Sequence, residues 1–147
     1  MKKVAAQIPL EMYEHIVIAV DGSDEAKRAA QRGLQLAQDF DASVAVLSVV
    51  EQKALQLTET SDEKAQLRER GEMALTEIEG LASQYGQTVS TKLLEGKPAV
   101  RISEYADEQN ADLIVVGRQG LTGLGRRLLG GVTERILHRS NVPVLVI

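Results

Sequence analysis

The sequence predicts an α/β domain built on a single, open, five-stranded parallel sheet with helices on both faces. Five short apolar runs alternate with segments whose apolar residues recur at helical spacing, and this alternation is typical of a parallel sheet. The 147 residues fit one domain, and no linker, repeat or low-complexity segment separates the runs. Hydrophobic residues make up 44% of the chain and charged residues 26%, which is a globular composition.

The first strand and the first helix follow each other directly. Residues 15–20 form a near-continuous apolar run, as expected for a strand that is buried on both faces. Ser23 is placed to cap the next helix, because acidic residues that favour the helix dipole follow it at once. The residues at helical spacing that we expect to face the sheet are Ala26, Ala29, Ala30, Gly33, Leu34 and Ala37.

The middle of the chain predicts two more strands with a long helix between them. Residues 44–50 are the second apolar run, and the stretch from there to Thr60 is interpreted as a loop. Thr60 and Glu63 have capping-box spacing, which predicts a helix that continues to about residue 85. Its expected apolar positions are Leu67, Met73, Ala74, Leu75, Ile78 and Leu81. Residues 88–94 alternate in polarity and predict an outer strand.

The last third of the chain repeats the alternation. Pro98 is placed near the first position of a helix. The residues that this helix is expected to bury are Val100, Ile102, Tyr105 and Ala106. Residues 112–117 are the clearest strand, residues 132–139 predict a helix through Val132, Ile136 and Leu137, and residues 144–147 predict a short final strand.

Two loops of the predicted parallel sheet meet at the position where sheets of this kind usually bind ligands. Ligands of open parallel sheets bind beyond the C-terminal strand ends, where the strand order changes direction. If the first strand is central, this place lies between the strand ends at Val20 and Val116. The loops that leave the sheet there begin at Asp21 and at Gly117.

The second of these loops, residues 117–131, holds half of the chain's 12 glycines. Glycine lets backbone N–H groups approach an anion closely, and Gly130-Gly131 opens a helix whose positive end attracts phosphate. Polar side chains that could assist are Arg118, Arg126, Arg127 and Thr133. The loop therefore predicts phosphate binding, with a plain surface loop as the alternative. It matches neither a Walker A loop nor a dinucleotide fingerprint.

Composition excludes several other classes. A net charge of −4 gives no overall basic footprint for nucleic acid. The chain has no cysteine, which excludes disulfides, thiolate metal sites and a cysteine nucleophile. No apolar run approaches the roughly 20 residues that span a bilayer. We interpret residues 1–12 as a short N-terminal extension, because Gln7 and Pro9 interrupt it too early for a secretory signal, and we expect a cytoplasmic protein.

Over residues 13–147 the chain resembles the universal stress proteins. The likeness is carried by residues 16–23, 112–120 and 130–147. The ATP-binding branch of that family has Gly, two residues, Gly, nine residues and Gly, followed by Ser or Thr. Gly117, Gly120 and Gly130 fall at these spacings, whereas Gly131 stands in the place of the Ser or Thr. The backbone N–H remains at that position, but the hydroxyl that would contact a terminal phosphate is missing.

The resemblance implies a Rossmann-like sheet of the adenine nucleotide alpha-hydrolase type, with strand order 3-2-1-4-5 and a homodimer paired through the last strands. It implies ATP as the ligand, which Mg²⁺ could accompany. Ala19 and Asp21 would line the adenosine end, and the backbone of Val49 would contact adenine. The residues implied to hold the phosphates are Gly117, Gly120, Gly130, Gly131 and Val132, with Arg118 and Thr133 as possible additions.

Three functional hypotheses follow. The first is an ATP-binding, homodimeric stress-response or regulatory protein. The second is an interaction module of the same fold that binds no nucleotide, which the glycine at position 131 favours. The third, an enzyme, is disfavoured beyond slow ATP hydrolysis, because His15 and His138 fit structural positions and no nucleophile–base pair is evident.

Overall fold

Five parallel strands form one sheet in the order β3-β2-β1-β4-β5, which confirms the predicted strand order. The computed structural model describes residues 13–119 and 129–147. The predicted extension, residues 1–12, and residues 120–128 of the glycine-rich loop lie outside this part of the chain. The strands are β1 (His15–Ala19), β2 (Ser43–Glu51), β3 (Ser90–Gly96), β4 (Leu113–Val116) and β5 (Val144–Val146).

The helices lie on both faces of the sheet. They are α1 (Asp24–Phe40), α2 (Gln52–Leu57), α3 (Ser61–Gln84), α4 (Pro98–Glu108) and α5 (Gly131–Arg139). Since successive strand residues point to opposite faces, the sheet divides the core into two layers. Ile16 and Ile18 belong to the layer under α1 and α3, whereas Val17 and Ile114 belong to the layer under α4 and α5.

The predicted helix starts are confirmed. Ser23 caps α1, with its Oγ accepting the N–H of Ala26 at 3.1 Å. Thr60 caps α3 in the same way, accepting the N–H of Glu63 at 3.1 Å. Pro98 occupies the first turn of α4, where its missing N–H costs no helical hydrogen bond. All six residues predicted on the buried face of α1 are buried.

Three details of the prediction were wrong. The stretch between β2 and Thr60 contains a short helix, α2, which buries none of its residues. Met73 is 63% exposed, because the buried positions of α3 are Ala74, Leu75, Ile78 and Ala82. In α5, Val132 and Leu137 are 37% and 41% exposed, and it is Thr133 that is buried beside Ile136.

Within residues 13–119 and 129–147, no helix is both long enough and apolar enough to cross a membrane.

Candidate functional site

The strand order reverses between β1 and β4, which pair in register from Ile16 with Leu113 to Ile18 with Val115. After β1 the chain turns into α1 on one face of the sheet, and after β4 it reaches α5 on the other face. Both loops start at the C-terminal edge of the sheet. The predicted switch point is therefore formed by the residues around Asp21 and Gly117.

The turn after β1 fixes the carboxylate of Asp21. Its Oδ1 accepts the N–H of Ser23 at 2.9 Å, which is the hydrogen bond of an Asx turn. Gly22 has φ of +87°, a conformation that a side chain would strain. Asp21 is exposed at the sheet edge, so the turn presents this carboxylate in a defined position at the switch point.

Gly117 lies against the backbone at the start of α1. A Cβ at this position would be 3.1 Å from both the carbonyl carbon and the carbonyl oxygen of Glu25, and 3.3 Å from the nitrogen of Ala26. Backbone atoms inside a helix cannot move aside as the end of a flexible side chain can. Close packing thus accounts for glycine at position 117 without any ligand.

The two described ends of the glycine-rich loop are joined by a hydrogen bond. The N–H of Gly130 donates to the carbonyl of Arg118 at 2.7 Å. The N–H of Arg118 in turn donates to the carbonyl of Ile147 at 3.1 Å, so that the loop is also tied to the segment after β5. The start of α5 is therefore held beside the end of β4.

Thr133 adds a second link between α5 and β4. Its side chain is buried, and its hydroxyl donates to the carbonyl of Gly117 at 2.8 Å. A hydroxyl has a single hydrogen to donate, so in this arrangement it cannot also donate to a phosphate. The prediction that Thr133 offers its hydroxyl to a phosphate does not fit this geometry, in which the hydroxyl is donated to the carbonyl of Gly117.

Among the described residues, no side chain caps the N-terminus of α5. Gly130 is the N-cap residue and contributes no side-chain hydrogen bond, and the first N–H groups of a helix have no partner within the helix. Gly131 is exposed, and the nearest atoms to a Cβ there belong to the Arg135 guanidinium at 3.9 Å. The described residues therefore leave room at position 131 for the serine or threonine that the resemblance leads one to expect, while Val132 is partly exposed beside it.

Ala19 and Val49 lie on the α4 and α5 face of the sheet, packed at the margin of that core layer. Leu47 accepts the N–H of Val20 at 2.9 Å, so the backbone groups of Leu47 point toward β1. Alternate residues of a parallel strand direct their backbone groups to the same side. The backbone groups of Val49 therefore also point to the β1 side of β2. The pairing of β1 with β2 ends at Ala19 and Leu47, so Val49 lies beyond the last paired residue of β1.

The charged and ionisable groups that the structure describes near this edge do not assemble a metal site. In the part of the chain that the structure describes, no three His, Asp or Glu side chains form a group that could hold a metal ion. Arg118 is exposed at the start of the loop. His15 lies at the opposite edge of the sheet, where its Nδ1 is hydrogen-bonded with Ser43 Oγ. His138 lies in the last turn of α5, with its Nε2 3.9 Å from Glu134 Oε1.

Sequence reasoning named most of the residues at this edge but missed how they are joined. The structure brings Asp21, Gly117, Gly130 and the start of α5 to one edge of the sheet; Gly120 lies outside the described residues. The hydrogen bond between Arg118 and Ile147 and the contact of Gly117 with α1 join segments that are far apart along the chain. Such backbone contacts leave no local signal in a sequence.

The fold and this edge together define an open, parallel α/β protein with its candidate ligand site at the topological switch point. A family model described as "Universal stress protein family" matches residues 12–147. The chain belongs to this family. Universal stress protein MJ0531 of Methanocaldococcus jannaschii is 41% identical over 140 residues, which cover 92% of this chain and 82% of that protein.

Solved structures show the same fold. The structure of hypothetical protein MJ0577 superimposes with a TM-score of 0.81 at 29% identity, over 92% of this chain and 96% of that chain. A universal stress protein in complex with cAMP gives a TM-score of 0.72 at 29% identity, over 92% and 97% of the two chains. One from Archaeoglobus fulgidus in complex with dAMP gives a TM-score of 0.71 at 25% identity, over 92% and 98%.

Proposed function

We propose that this chain binds an adenine nucleotide, ATP, at the switch point and acts as a cytoplasmic, homodimeric regulator in the stress response. The observation that carries the proposal is the fixed position of the α5 N-terminus. Thr133 and Gly130 hold it at the end of β4, next to the end of β1. The unpaired N–H groups and the positive dipole of a helix N-terminus attract phosphate. The cAMP and dAMP in two similar structures support a nucleotide as the ligand.

Each residue has a defined part in this proposal. Ala19 and Asp21 line the adenosine end, and the backbone of Val49 contacts the adenine. The residues proposed to contact the phosphates are Gly117, Gly120, Gly130, Gly131 and Val132, with Arg118 adding positive charge. Thr133 acts through Gly117, whose carbonyl it holds. Mg²⁺ would arrive with the phosphates, and the exposed carboxylate of Asp21 could meet it or its water ligands.

Isothermal titration calorimetry with ATP tests the proposal directly. We expect saturable heat with a stoichiometry of one nucleotide per chain. Parallel titrations with AMP and cAMP compare the affinities and so show how much the additional phosphates of ATP contribute to binding. An absorbance spectrum of the freshly purified protein adds a check for nucleotide carried through purification. A folded protein that gives no heat at millimolar ATP, AMP and cAMP would contradict the proposal.

The second candidate function is an interaction module that binds no nucleotide. Two observations favour it: Gly131 supplies no hydroxyl, and the hydroxyl of Thr133 is already donated to Gly117. The variant Gly131→Ser discriminates between the two functions, because among the described residues a Cβ there meets nothing closer than 3.9 Å. If ATP binds the parent chain, the new hydrogen bond should raise its affinity about 10-fold or more. If the parent chain binds no ATP and only the variant does, the interaction module is the better description.

The proposed homodimer forms through β5. This strand pairs with β4 on one side and is the last strand in the sheet order. Ile147 donates its N–H to the carbonyl of Val116, and Ile114 donates its N–H to the carbonyl of Pro143. The backbone groups of the alternate residues, Val144 and Val146, therefore point away from β4. Leu145 is also partly exposed. An open edge of this kind pairs readily with the same edge of a second copy.

A further inference from the structure

The guanidinium of Arg135 lies beside the first turn of α5, although the residue itself belongs to the second turn. A Cβ at Gly131 would be 3.9 Å from the Cζ and Nη1 atoms of Arg135 and 4.0 Å from Nη2. Residues four apart lie on the same side of a helix, about 6 Å apart along its axis, and long side chains lean toward the helix N-terminus. Because Gly131 has no side chain, the guanidinium can lie directly beside the first residue of α5.

This position is electrostatically unfavourable for a cation. The N-terminus of a helix carries the positive end of the helix dipole, and cations stabilise the opposite end, where α5 has His138 and Arg139. Arg135 forms no ion pair with any residue that the structure describes. The carboxylate of Glu134 lies instead 3.9 Å from Nε2 of His138, one turn further along the helix. The start of α5 therefore combines two positive features, and an anion would stabilise both.

The hydrogen-bond donors at the start of α5 suit a phosphate group. The first N–H groups of the helix have no partner within the helix, and no described side chain caps them. A guanidinium adds further N–H donors in one plane, which match two oxygens of a phosphate in strong, charge-assisted hydrogen bonds. Arg139 offers the same group in the last turn, where the unpaired backbone groups are carbonyls. Of the two arginines of α5, Arg135 is therefore the one placed to act together with the helix N-terminus.

The guanidinium also lies where a side chain is missing. In the ATP-binding pattern that the chain resembles, position 131 carries a serine or threonine, whose hydroxyl would contact a terminal phosphate. Thr133 does not replace it, since its hydroxyl is donated to the carbonyl of Gly117 at 2.8 Å. The Arg135 guanidinium is 3.9 Å from the point where the Cβ of the missing side chain would be. It can therefore reach the same phosphate from the same side of the helix.

We propose that Arg135 binds the terminal phosphate of a nucleoside triphosphate in place of the missing hydroxyl, so that the site prefers a triphosphate to a monophosphate. This inference rests on the proposed function and adds a residue that determines which nucleotide is bound. A hydrogen bond to a charged group typically changes an affinity about 10- to 100-fold. AMP lacks the terminal phosphate that accepts this bond, so Arg135 contributes to the binding of ATP and not to that of AMP.

Isothermal titration calorimetry of the full chain and of the variant Arg135→Gln, with ATP and AMP as probes, tests the proposal. We expect the variant to bind ATP at least about 10-fold more weakly than the parent chain, and AMP equally tightly. Arg135 is exposed and glutamine is a good helix former, so the variant should fold, which circular dichroism and Tm check. An unchanged affinity for ATP, or an equal loss for AMP, would overturn the proposal.

The variant Arg139→Gln is the matched control, because it removes the same charge from an exposed position at the other end of the same helix. It should bind ATP as tightly as the parent chain does. An equal loss of affinity in Arg135→Gln and Arg139→Gln would show that ATP responds to the overall charge, and the proposal would then be wrong.

The double variant Gly131→Ser/Arg135→Gln tests whether the two positions serve the same phosphate. It should recover much of the affinity for ATP that Arg135→Gln loses, because it returns a hydroxyl to the place that the guanidinium occupies. A double variant that binds ATP no better than Arg135→Gln would contradict the idea that Arg135 acts in place of the hydroxyl.

Tripolyphosphate, which carries three phosphates without adenosine, separates this inference from the proposed function. If ATP binds the parent chain and Arg135→Gln equally well, the inference fails and the proposed function stands. If no nucleotide binds but tripolyphosphate does, and Arg135→Gln weakens its binding, the proposed function fails while Arg135 remains a phosphate contact. A parent chain that binds neither ATP nor tripolyphosphate would overturn both, as would tripolyphosphate binding alone that does not depend on Arg135.

Discussion

At the scale of single residues, Thr133 joins two elements through one hydroxyl. The variant Thr133→Val keeps the shape of the side chain but leaves the carbonyl of Gly117 without its donor. We expect a loss of about 1–3 kcal/mol in the free energy of unfolding, measured by urea denaturation. Thr133→Ser restores the donor and should recover most of this loss. An unchanged stability in the valine variant would mean that the carbonyl finds another donor.

Two glycines of the same loop should respond differently to alanine. Gly117→Ala places a methyl group 3.1 Å from the backbone of Glu25, which should cost about 1–3 kcal/mol of stability. In Gly131→Ala the new methyl group meets no atom of the described residues closer than 3.9 Å, and the position requires no unusual φ, so the variant should be more stable by about 0.4–1 kcal/mol. Chemical denaturation of both variants checks the comparison, and similar effects at the two positions would refute the packing role of Gly117.

At the scale of elements, Arg68 of α3 and Glu95 of β3 form an ion pair, with Nε 2.7 Å from Oε2. The hydrogen bond from Arg68 lowers the pKa of Glu95 below its ordinary value of 4.5, and the same bond raises the pKa of Arg68. A carboxyl group whose pKa is lower in the folded protein than its ordinary value stabilises the fold at pH values above that ordinary pKa. This contribution is lost as the pH falls from 4.5 through the lower value in the folded protein.

At pH 7 the variant Glu95→Gln should therefore be less stable than the parent chain. In acid the two should be equally stable. Both side chains are nearly half exposed, so solvent screens the pair and the expected loss in Tm is small, about 1 °C. Thermal unfolding from pH 7 down to about pH 3 measures it. A Tm difference that stays constant through this range would show that the charge of Glu95 is not its cause. Glu104→Gln, whose partner Arg101 lies in the same helix, is the comparison variant.

The elements also show how far the sequence predicts the fold. The buried face of α1 was predicted completely, because small residues recur at helical spacing where the helix lies along the sheet. Helix α2 was missed, since its six residues bury nothing and have no side-chain cap. Met73 was misplaced because the apolar pattern of α3 is wider than the face that contacts the sheet. Periodicity shows which residues could be buried, and packing decides which of them are.

The candidate site divides in a similar way. The position of the glycine-rich loop at the switch point could be predicted, because it follows from strand order alone. The hydrogen bond from Thr133 to the carbonyl of Gly117 could not be predicted, since it depends on how α5 is placed against β4. That placement is fixed by hydrogen bonds between Arg118, Gly130 and Ile147, which are backbone groups that every residue type carries.

At the scale of the whole molecule, the proposed dimer depends on the outer backbone edge of β5. The variant Val146→Pro removes an outward N–H but keeps the hydrogen bonds that join β5 to β4, since the alternate residues, Pro143 and Ile147 among them, make these. We expect the variant to remain folded and to shift from dimer to monomer. Light scattering after size-exclusion chromatography gives the mass, and circular dichroism confirms the fold. A folded variant that remains dimeric would place the interface elsewhere.

The hydrogen bond between Gly130 and Arg118 has a consequence for which changes of sequence this chain can tolerate. It closes the base of the glycine-rich loop, so the residues on either side keep their positions whatever lies between them. The entropy of closing a loop rises only slowly with its length. Insertions, deletions and substitutions between these two residues can therefore accumulate with little loss of stability. Such changes could alter what the proposed site binds, while the hydrogen bond between Gly130 and Arg118 keeps the two ends of the loop together.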